Sequence, residues 1–245
     1  MERQVYARMA ALEDQHWWFL GRRRILSEIL DRLVRLSAGS DILEAGCGTG
    51  GNLAMLAKFG RVSGFEPDEE AREHASTKGN FDIRVGRLPN EVPFGPQSFD
   101  LTVAFDVLEH VDDDLGSLKA LRESLRPGGW LLVTVPAFPF LWSAHDETHE
   151  HKRRYVKSDL VERAQEAGFT PVYTSYYNSL LFPVIVAIRQ FKKLFGIHHG
   201  DDESLPSPTL NRLLAILFAS ERHLLVRMTL PVGVSLLLLA RTSDR

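Results

Sequence analysis

A run of glycines directly after a short apolar strand constrains this chain more than any other sequence feature. The strand is predicted over 41–45, and Gly46, Gly48, Gly50 and Gly51 follow it at once. One glycine suffices for a strand-to-helix turn, and every further glycine adds a conformational-entropy cost on folding. Bare backbone at a helix N-terminus, together with the positive end of the helix dipole, suits a bound ligand. We therefore predict a ligand-binding turn here.

The periodicity of apolar residues predicts an α/β fold around this turn. Strands are expected at 41–45, 61–65, 81–85, 99–107, 130–137, 170–177 and 232–241, with core helices at 52–59, 68–76, 114–125 and 158–167. Strands that alternate with helices indicate a parallel sheet covered on both faces. Ser158 is the expected N-cap of the last of these helices.

Four segments are predicted along the chain. Residues 1–40 form an N-terminal helical cover, and 41–178 form the α/β core, with a lid at 138–157. Residues 179–229 form an insertion of two apolar helices, 180–195 and 210–228, joined by a polar loop that contains Gly200, Asp201 and Asp202. Residues 230–245 return as the last strand of the core.

Composition limits the location and the partners of the chain. The 29 basic and 32 acidic residues give a net charge of −3, which offers no argument for nucleic-acid binding. The single cysteine, Cys47, permits no internal disulfide and favours a reducing compartment. The most apolar stretches, 180–188 and 230–240, are shorter than the roughly 20 residues that span a bilayer. We expect a cytoplasmic protein, and contact with a membrane surface stays open.

Two kinds of ligand fit the glycine turn. The spacing Gly46-x-Gly48-x-x-Gly51, followed by Glu66, fits a dinucleotide such as NAD. The spacing Gly46-x-Gly48-x-Gly50, preceded by Glu44, fits a different ligand. A carboxylate at this point repels a pyrophosphate but attracts an ammonium or a sulfonium group. S-adenosylmethionine (SAM) carries both cations.

Four motifs in order resemble the class I SAM-dependent methyltransferases. They are Glu44-Ala45-Gly46-Cys47-Gly48-Thr49-Gly50, Phe65-Glu66-Pro67-Asp68, the segment from Phe99 through Asp106 to Val111, and Leu125-Arg126-Pro127-Gly128-Gly129. The resemblance implies a Rossmann-like, seven-stranded, mostly parallel sheet with strand seven antiparallel, and S-adenosylhomocysteine as the product. The cofactor-binding residues that it implies are Glu44, Gly46, Cys47, Gly48, Gly50, Glu66, Pro67, Arg87, Leu88, Phe105 and Asp106. Arg87 departs from the family, which has an acid at that position.

The lid resembles that of a bacterial subgroup of these methyltransferases, through His145-Asp146 and His151-x-Arg153-Arg154-Tyr155. The substrate-binding residues predicted from the lid and the cover are Trp17, Trp18, His149, His151, Arg153, Arg154 and Tyr155. Arginine pairs well with carboxylate or phosphate, which suggests an anionic acceptor. The alternative is that both arginines are surface charges and that Tyr155 packs.

His110 and His145 are the predicted catalytic residues, because an alcohol acceptor needs a base near the methyl group. Asp106, Glu109 and His110 also resemble the metal cluster of the ubiquinone-pathway O-methyltransferases, but that family usually has glutamate at the first position. The histidine spacing in the lid fits no standard zinc pattern. We predict no metal.

The sequence thus predicts a SAM-dependent methyltransferase that acts on a small acidic, sugar-linked or lipid-linked acceptor, on oxygen more than on nitrogen. An NAD-dependent oxidoreductase and a non-catalytic SAM-binding module are the alternatives. The first helix of the insertion is interpreted as a buried or dimer-forming helix, and contact with an anionic membrane surface is the alternative.

Overall fold

The computed structural model describes residues 3–195 and 204–243, and it contains one seven-stranded sheet. The strands are β1 (Asp41–Ala45), β2 (Arg61–Phe65), β3 (Asp82–Arg84), β4 (Phe99–Phe105), β5 (Leu125–Pro136), β6 (Thr170–Tyr177) and β7 (Ser235–Arg241). Their order is β3-β2-β1-β4-β5-β7-β6, and β7 runs opposite to the other six strands. The predicted fold class is confirmed.

Ten α-helices surround the sheet within the described ranges. They are α1 (Arg3–Leu12), α2 (Trp17–Ile29), α3 (Leu53–Leu56), α4 (Glu69–Thr77), α5 (Asp114–Ser124), α6 (Ala144–Thr148), α7 (Lys157–Glu166), α8 (Phe182–Leu194), α9 (Pro208–Ser220) and α10 (Arg222–Leu225). A π-helix (Leu30–Val34) continues α2, and 3-10 turns lie at Leu108–His110 and Pro139–Leu141.

Three helix predictions were wrong in detail. The helix after the glycine turn is a single turn, α3, of 4 residues, and the other half of the predicted span, 52–59, forms non-helical turns. Helix α7 begins one residue earlier than predicted, so Val156 and not Ser158 is its N-cap. The helix predicted over 210–228 divides at Glu221 into α9 and α10. The polar loop with Gly200, Asp201 and Asp202 lies outside the described residues.

The sheet is buried on both faces, and β7 shows how the sequence achieves this. Leu236 and Leu238 belong to the core on one face, whereas Leu237 and Leu239 belong to the core on the other face. Successive side chains of a strand point to opposite sides, so a strand with cores on both sides is apolar throughout. The continuous leucine run therefore marks an internal strand.

The predicted cover packs against the insertion. The backbone N–H of Trp17 in α2 donates to Oδ1 of Asn211 in α9 at 2.8 Å, and the ring of Trp17 meets that of Phe218 edge to face. A Cβ on Gly21 would lie 2.4 Å from the Phe218 ring, so the close approach of these helices requires glycine. In residues 3–195 and 204–243, no helix has the length and apolarity that crossing a bilayer requires.

Candidate active site

The glycine turn lies at the carboxyl end of β1, which pairs with β2 on one side and β4 on the other. Gly46, Gly48 and Gly50 have φ values of 65°, 52° and 86°, which residues with a Cβ rarely adopt. A Cβ on Gly50 would lie 2.9 Å from Cα of Ala75, whereas one on Gly48 would meet no heavy atom of residues 3–195 and 204–243 within 4 Å. Packing explains glycine at position 50, and open space borders the backbone at position 48.

Glu44 is a buried carboxylate beside this turn. Its Oε1 accepts a hydrogen bond from Nδ2 of Asn52 at 2.8 Å, and its Oε2 has no hydrogen-bond partner among the described residues. Burial raises the pKa of the Glu44 carboxyl to about 7, although the bond from Asn52 acts against this. A buried acceptor without a partner is costly, and a cationic ligand would remove that cost.

Glu66 lies at the next strand end, directly after β2. It accepts hydrogen bonds from the backbone N–H groups of Gly48 (3.0 Å) and Asp68 (3.1 Å) and from the hydroxyl of Tyr6 (3.0 Å). Burial raises the pKa of the Glu66 carboxyl above its usual range. The carboxylate predicted to bind the ribose is thus already joined to the turn and to α1.

The N-terminal helices contact the glycine turn directly. The hydroxyl of Thr49 donates to Oε2 of Glu13 at 2.5 Å. The guanidinium of Arg23 donates to the carbonyl oxygens of Gly51 (3.2 Å) and Glu13 (2.6 Å). These contacts place the cover over the turn, in the position expected of a segment that closes over a bound ligand.

The residues around the turn fit SAM. The unpaired Oε2 of Glu44 suits a cation, and the space beside Gly48 admits a ligand close to bare backbone. Oε1 of Glu66 already accepts two hydrogen bonds and Oε2 accepts one, so a ribose hydroxyl would meet Oε2 or take the place of the Tyr6 hydroxyl. Glu44, Gly48 and Glu66 would therefore hold SAM, which when bound supplies a methyl group on a sulfonium.

The other predicted cofactor residues lie around the turn with less specific contacts. Cys47 and Leu88 are buried, and the side chain of Arg87 is exposed. The carbonyl oxygen of Pro67 accepts a hydrogen bond from Arg72 at 3.0 Å. Their roles toward SAM stay predictions.

A cavity of about 330 Å³ opens beyond the ends of β4 and β5, between α1, α2, the lid and α8. We call it the histidine cavity. It brings together nine predicted residues: Trp17, Trp18, Phe105, Asp106, His110, His145, His149, His151 and Arg154. Sequence reasoning assigned none of the following lining residues to a site: Met9, Leu12, Asn178, Ile185, Ile188 and Arg189. Asn178 could have been found, because it follows a strand, β6, that ends at this edge.

Asp106 forms an ion pair with Arg22, whose guanidinium also lies 4.4 Å from the Trp18 ring. The carboxylate of Asp106 is thereby paired with a cation, whereas the ubiquinone-pathway resemblance implies that it joins Glu109 and His110 in one cluster. Those two residues instead lie close to His151 from the lid.

Four histidine rings gather in the cavity. The ring centroids are 4.2 Å apart for His145 and His149, 4.7 Å for His110 and His151, and 5.7 Å for His145 and His151. Burial, followed by the nearby His151 and His149, lowers the pKa of His110 to about 3. The predicted base is thus a neutral imidazole at ordinary pH, and a weak one.

Arg154 fixes the position of the lid. Its guanidinium donates to both carboxylate oxygens of Asp146, at 2.7 and 2.9 Å, and to the carbonyl oxygen of Ala137 at 3.0 Å. Asp146 also bonds Nδ1 of His151 at 2.8 Å. Burial opposes ionisation, but the bond from His151 and the charge of Arg154 hold the pKa of Asp146 well below its usual range.

Arg153 and Tyr155 do not line the cavity. Arg153 pairs with Asp114 at 3.1 Å and donates to the carbonyl oxygens of Val111 and Asp112. The buried Tyr155 hydroxyl donates to Asp114 at 3.0 Å. These contacts favour a structural role, and they give no support to an anion-binding pair of arginines.

Known proteins are similar to this chain over its core. A family model described as a methyltransferase domain matches residues 18–174. A probable S-adenosylmethionine-dependent methyltransferase of Mycolicibacterium smegmatis is 34% identical over 162 residues, which cover 64% of this chain and 61% of that protein. A ubiquinone biosynthesis O-methyltransferase of Idiomarina loihiensis is 30% identical over 164 residues, 59% of this chain and 66% of that protein. The chain thus spans less than two thirds of these relatives.

Solved structures share the fold over more of the chain. One is from the complex between the Haloferax volcanii Trm112 methyltransferase activator and a methyltransferase, with a TM-score of 0.66, 18% identity, and coverage of 99% of this chain and 96% of that chain. Another is Haemonchus contortus phosphoethanolamine N-methyltransferase 2 in complex with SAM, with a TM-score of 0.59, 17% identity, and coverage of 89% and 52%. The family match covers well over half of the sequence and includes the glycine turn, so the chain belongs to the methyltransferase-domain family.

Proposed function

We propose that this chain is a SAM-dependent methyltransferase that methylates a hydroxyl oxygen of a small, apolar, lipid-linked acceptor. The observation that carries the proposal is the position of the histidine cavity. It begins at Phe105 and Asp106, at the end of the strand beside β1, and so lies next to Glu44 and the glycine turn. A methyl donor at the turn and an acceptor in the cavity would meet at this edge of the sheet.

The walls of the cavity favour an apolar acceptor over an acidic one. Trp17, Trp18, Phe19, Ile185 and Ile188 supply large apolar surfaces. Two arginines of the lining already have carboxylate partners, Arg22 with Asp106 and Arg154 with Asp146. We therefore rank the lipid-linked class ahead of the acidic and sugar-linked classes. The name of the Idiomarina relative, an O-methyltransferase, agrees with transfer to oxygen.

The transfer is an in-line displacement at the methyl carbon. The bond from carbon to the sulfonium sulfur breaks as the bond from carbon to the acceptor oxygen forms, and the electron pair stays on sulfur in S-adenosylhomocysteine. The hydroxyl proton leaves to a base, for which His110 and His145 are the candidates. The cover, through Tyr6 and Glu13, and the lid would exclude water and align the reactants, and alignment alone can supply much of the rate.

Helix α8 connects the cavity to an exposed apolar surface. Ile185 and Ile188 line the cavity, and Ile188, Phe191 and Leu194 are also at least half exposed. Lys192 and Lys193 follow on the last turn. An apolar row beside basic residues suits an anionic membrane surface, from which a lipid-linked acceptor could enter. We also propose that this chain belongs to the bacterial subgroup of SAM-dependent methyltransferases whose lid it resembles.

Thermal unfolding in the presence of ligands tests the cofactor. SAM and S-adenosylhomocysteine should raise the melting temperature of the chain, and NAD should not, because only a ligand of the folded state stabilises it. Glu66→Ala should weaken SAM binding more than about tenfold, since charged hydrogen bonds contribute about 1.5–3 kcal/mol each. Stabilisation by NAD alone would support the oxidoreductase instead.

A matched pair of acceptors tests the substrate class. A phenol with an isoprenoid tail should be methylated at least about tenfold faster than the same ring with a carboxylate in place of the tail. Product analysis should find the methyl group on oxygen. A preference for the carboxylate would contradict the apolar acceptor. Tight SAM binding without turnover of either acceptor would favour the non-catalytic module.

Co-sedimentation with vesicles tests the α8 surface. Vesicles rich in anionic phosphatidylglycerol should retain the protein more than neutral vesicles do, and Phe191→Ser with Leu194→Ser should reduce the retention. Light scattering tests the alternative that α8 forms a dimer. A dimer that buries this face would dissociate in the same double variant, and the parent protein would then show no preference for anionic lipid.

A further inference from the structure

We propose that His145, His149 and His151 form a binding site for one divalent transition-metal ion of the Zn²⁺ type. Each histidine offers a ring nitrogen, and these atoms lie within 4.8 Å of one another. A tetrahedral zinc ion with nitrogen ligands at about 2.0–2.1 Å needs those nitrogens about 3.4 Å apart. Rotations that move each nitrogen by about an ångström would close the site.

The backbone of the lid brings these side chains together. His145 lies in α6 and His149 caps that helix, so the two are four residues apart and share one helix face. The chain then folds back, because the backbone N–H of His151 donates to the carbonyl oxygen of Asp146 at 2.8 Å. A linear spacing of His-x3-His-x-His thereby becomes a triad, although it resembles no standard zinc pattern.

Asp146 orients the third ligand. Its Oδ1 lies 2.8 Å from Nδ1 of His151, which leaves Nε2 of that ring for a ligand. Asp146 is itself held by the two bonds from Arg154 and by the backbone N–H of Ser143. A carboxylate behind a histidine is the usual support of a metal-bound imidazole, since it fixes the ring and increases its basicity.

A separate observation concerns Glu109, a buried acid beside the triad, because burial raises the pKa of its carboxyl well above the usual range. Glu109 is fully buried, and neither of its carboxylate oxygens has a hydrogen-bond partner among the described residues. With His110 it lies within 4.8 Å of the ligand atom of His151. A dication on the neighbouring triad would offset the cost of burying this carboxylate.

We place the ion on the three lid histidines because one short segment holds them all, and because three protein ligands leave a fourth position open. All three histidines line the cavity, so that position would face it. An acceptor hydroxyl that took the fourth position would lose its proton more readily, and with His145 bound to the ion His110 would be the remaining candidate base; this consequence rests on the proposed function. Metal binding itself does not.

Titration with cobalt tests the site in the full chain, stripped of metal and free of a polyhistidine tag. Tetrahedral Co²⁺ gives visible absorption bands, and Zn²⁺ should displace it. We expect one ion per chain. His145→Ala and His149→Ala should each weaken binding at least about tenfold, and Asp146→Asn should weaken it about 10–100-fold. His223→Ala, which removes an exposed histidine of α10, should bind like the parent.

Circular dichroism of each variant shows that a loss of binding is not a loss of folding. The proposal fails if the parent chain binds neither Co²⁺ nor Zn²⁺, or if His145→Ala and His149→Ala bind like the parent. It also fails if Glu109→Gln and His110→Ala abolish binding while the lid variants keep it, because the ion would then belong to the neighbouring triad. No SAM or acceptor enters the titration, so its failure is distinct from a failure of the methyl-transfer assay.

Discussion

The glycine turn and the histidine cavity each contain a buried glutamate with at least one carboxylate oxygen that has no hydrogen-bond partner in the described part of the chain, but the two sites are built in different ways. Glu44 and the glycines that follow it come from one stretch of seven residues, 44–50. Glu109 lies close to His110 and to His151 of the lid, and it faces a cavity whose walls come from the cover, the strand ends, the lid and α8. The first site is a property of one turn, and the second is a property of the packed molecule.

That difference decides what could be predicted. The bounds of β1, β2 and β6 and the antiparallel direction of β7 agree with the predictions, since strand periodicity and the family motifs are local signals. The acid beside the turn could be predicted in the same way. The partners of Arg154 and Arg153 could not, because nothing in the pair of arginines shows that one meets Asp146 and the other Asp114.

The lid histidines show the same limit at shorter range. Their convergence depends on where α6 ends and on the return of His151 toward Asp146. Ile185 and Arg189 reach the cavity only because α8 packs against the lid, where the guanidinium of Arg189 donates to the carbonyl oxygen of Leu141. A signal of that kind lies in tertiary packing and not in spacing.

The largest expected effect separates two glycines of the turn. Gly48→Val should weaken SAM binding about a hundredfold or more, equivalent to about 2.8 kcal/mol, because its side chain would fill the space beside the backbone. Both Gly48→Val and Gly50→Val lose about 1–2 kcal/mol of stability from the left-handed backbone. Gly50→Val should lose more, since its Cβ would press on Ala75.

Calorimetric binding and denaturant unfolding, measured on both variants, separate the two effects. Each variant is the control for the other. For the same loss of free energy of unfolding, Gly48→Val should lose more SAM affinity than Gly50→Val does. A folded Gly48→Val protein that binds SAM like the parent would mean that the turn is only structural.

A smaller effect concerns the charge of Glu44. A carboxyl with a pKa of about 7 that binds a cation only when ionised should give a SAM affinity that rises about tenfold between pH 6 and 8. Arg22 acts against that elevated pKa, and Glu13 and Glu66 add to it. In the free protein the sign is opposite, since stability should fall as pH rises from 4.5, the ordinary value of this group, to about 7.

Glu44→Gln is the matched control, because it keeps the shape and the contact with Asn52 but removes the titration. The ratio of parent to variant affinity at each pH cancels the titration of SAM itself. A ratio that stays constant from pH 6 to 8 would show that Glu44 does not face the cation.

The smallest expected effect concerns Arg153, a lid residue that lies outside the lining of the histidine cavity. Arg153 is 30% exposed in its side chain, and its pair with Asp114 is partly screened, so Arg153→Ala should cost at most about 1 kcal/mol of stability. SAM affinity should change by less than about twofold, because the contacts of Arg153 lie on the segment after β4 and not on the turn. Arg153→Lys keeps the charge beside Asp114 but cannot reproduce the planar set of donors, so it should recover part of the lost stability. Denaturant unfolding and SAM calorimetry check both values.

A tenfold loss of methyl transfer to an acidic acceptor in Arg153→Ala, at unchanged stability and SAM affinity, would place this arginine in the acceptor site and favour an anionic acceptor over the apolar one. The independence of the two regions would survive that result, whereas a loss of SAM affinity would break it.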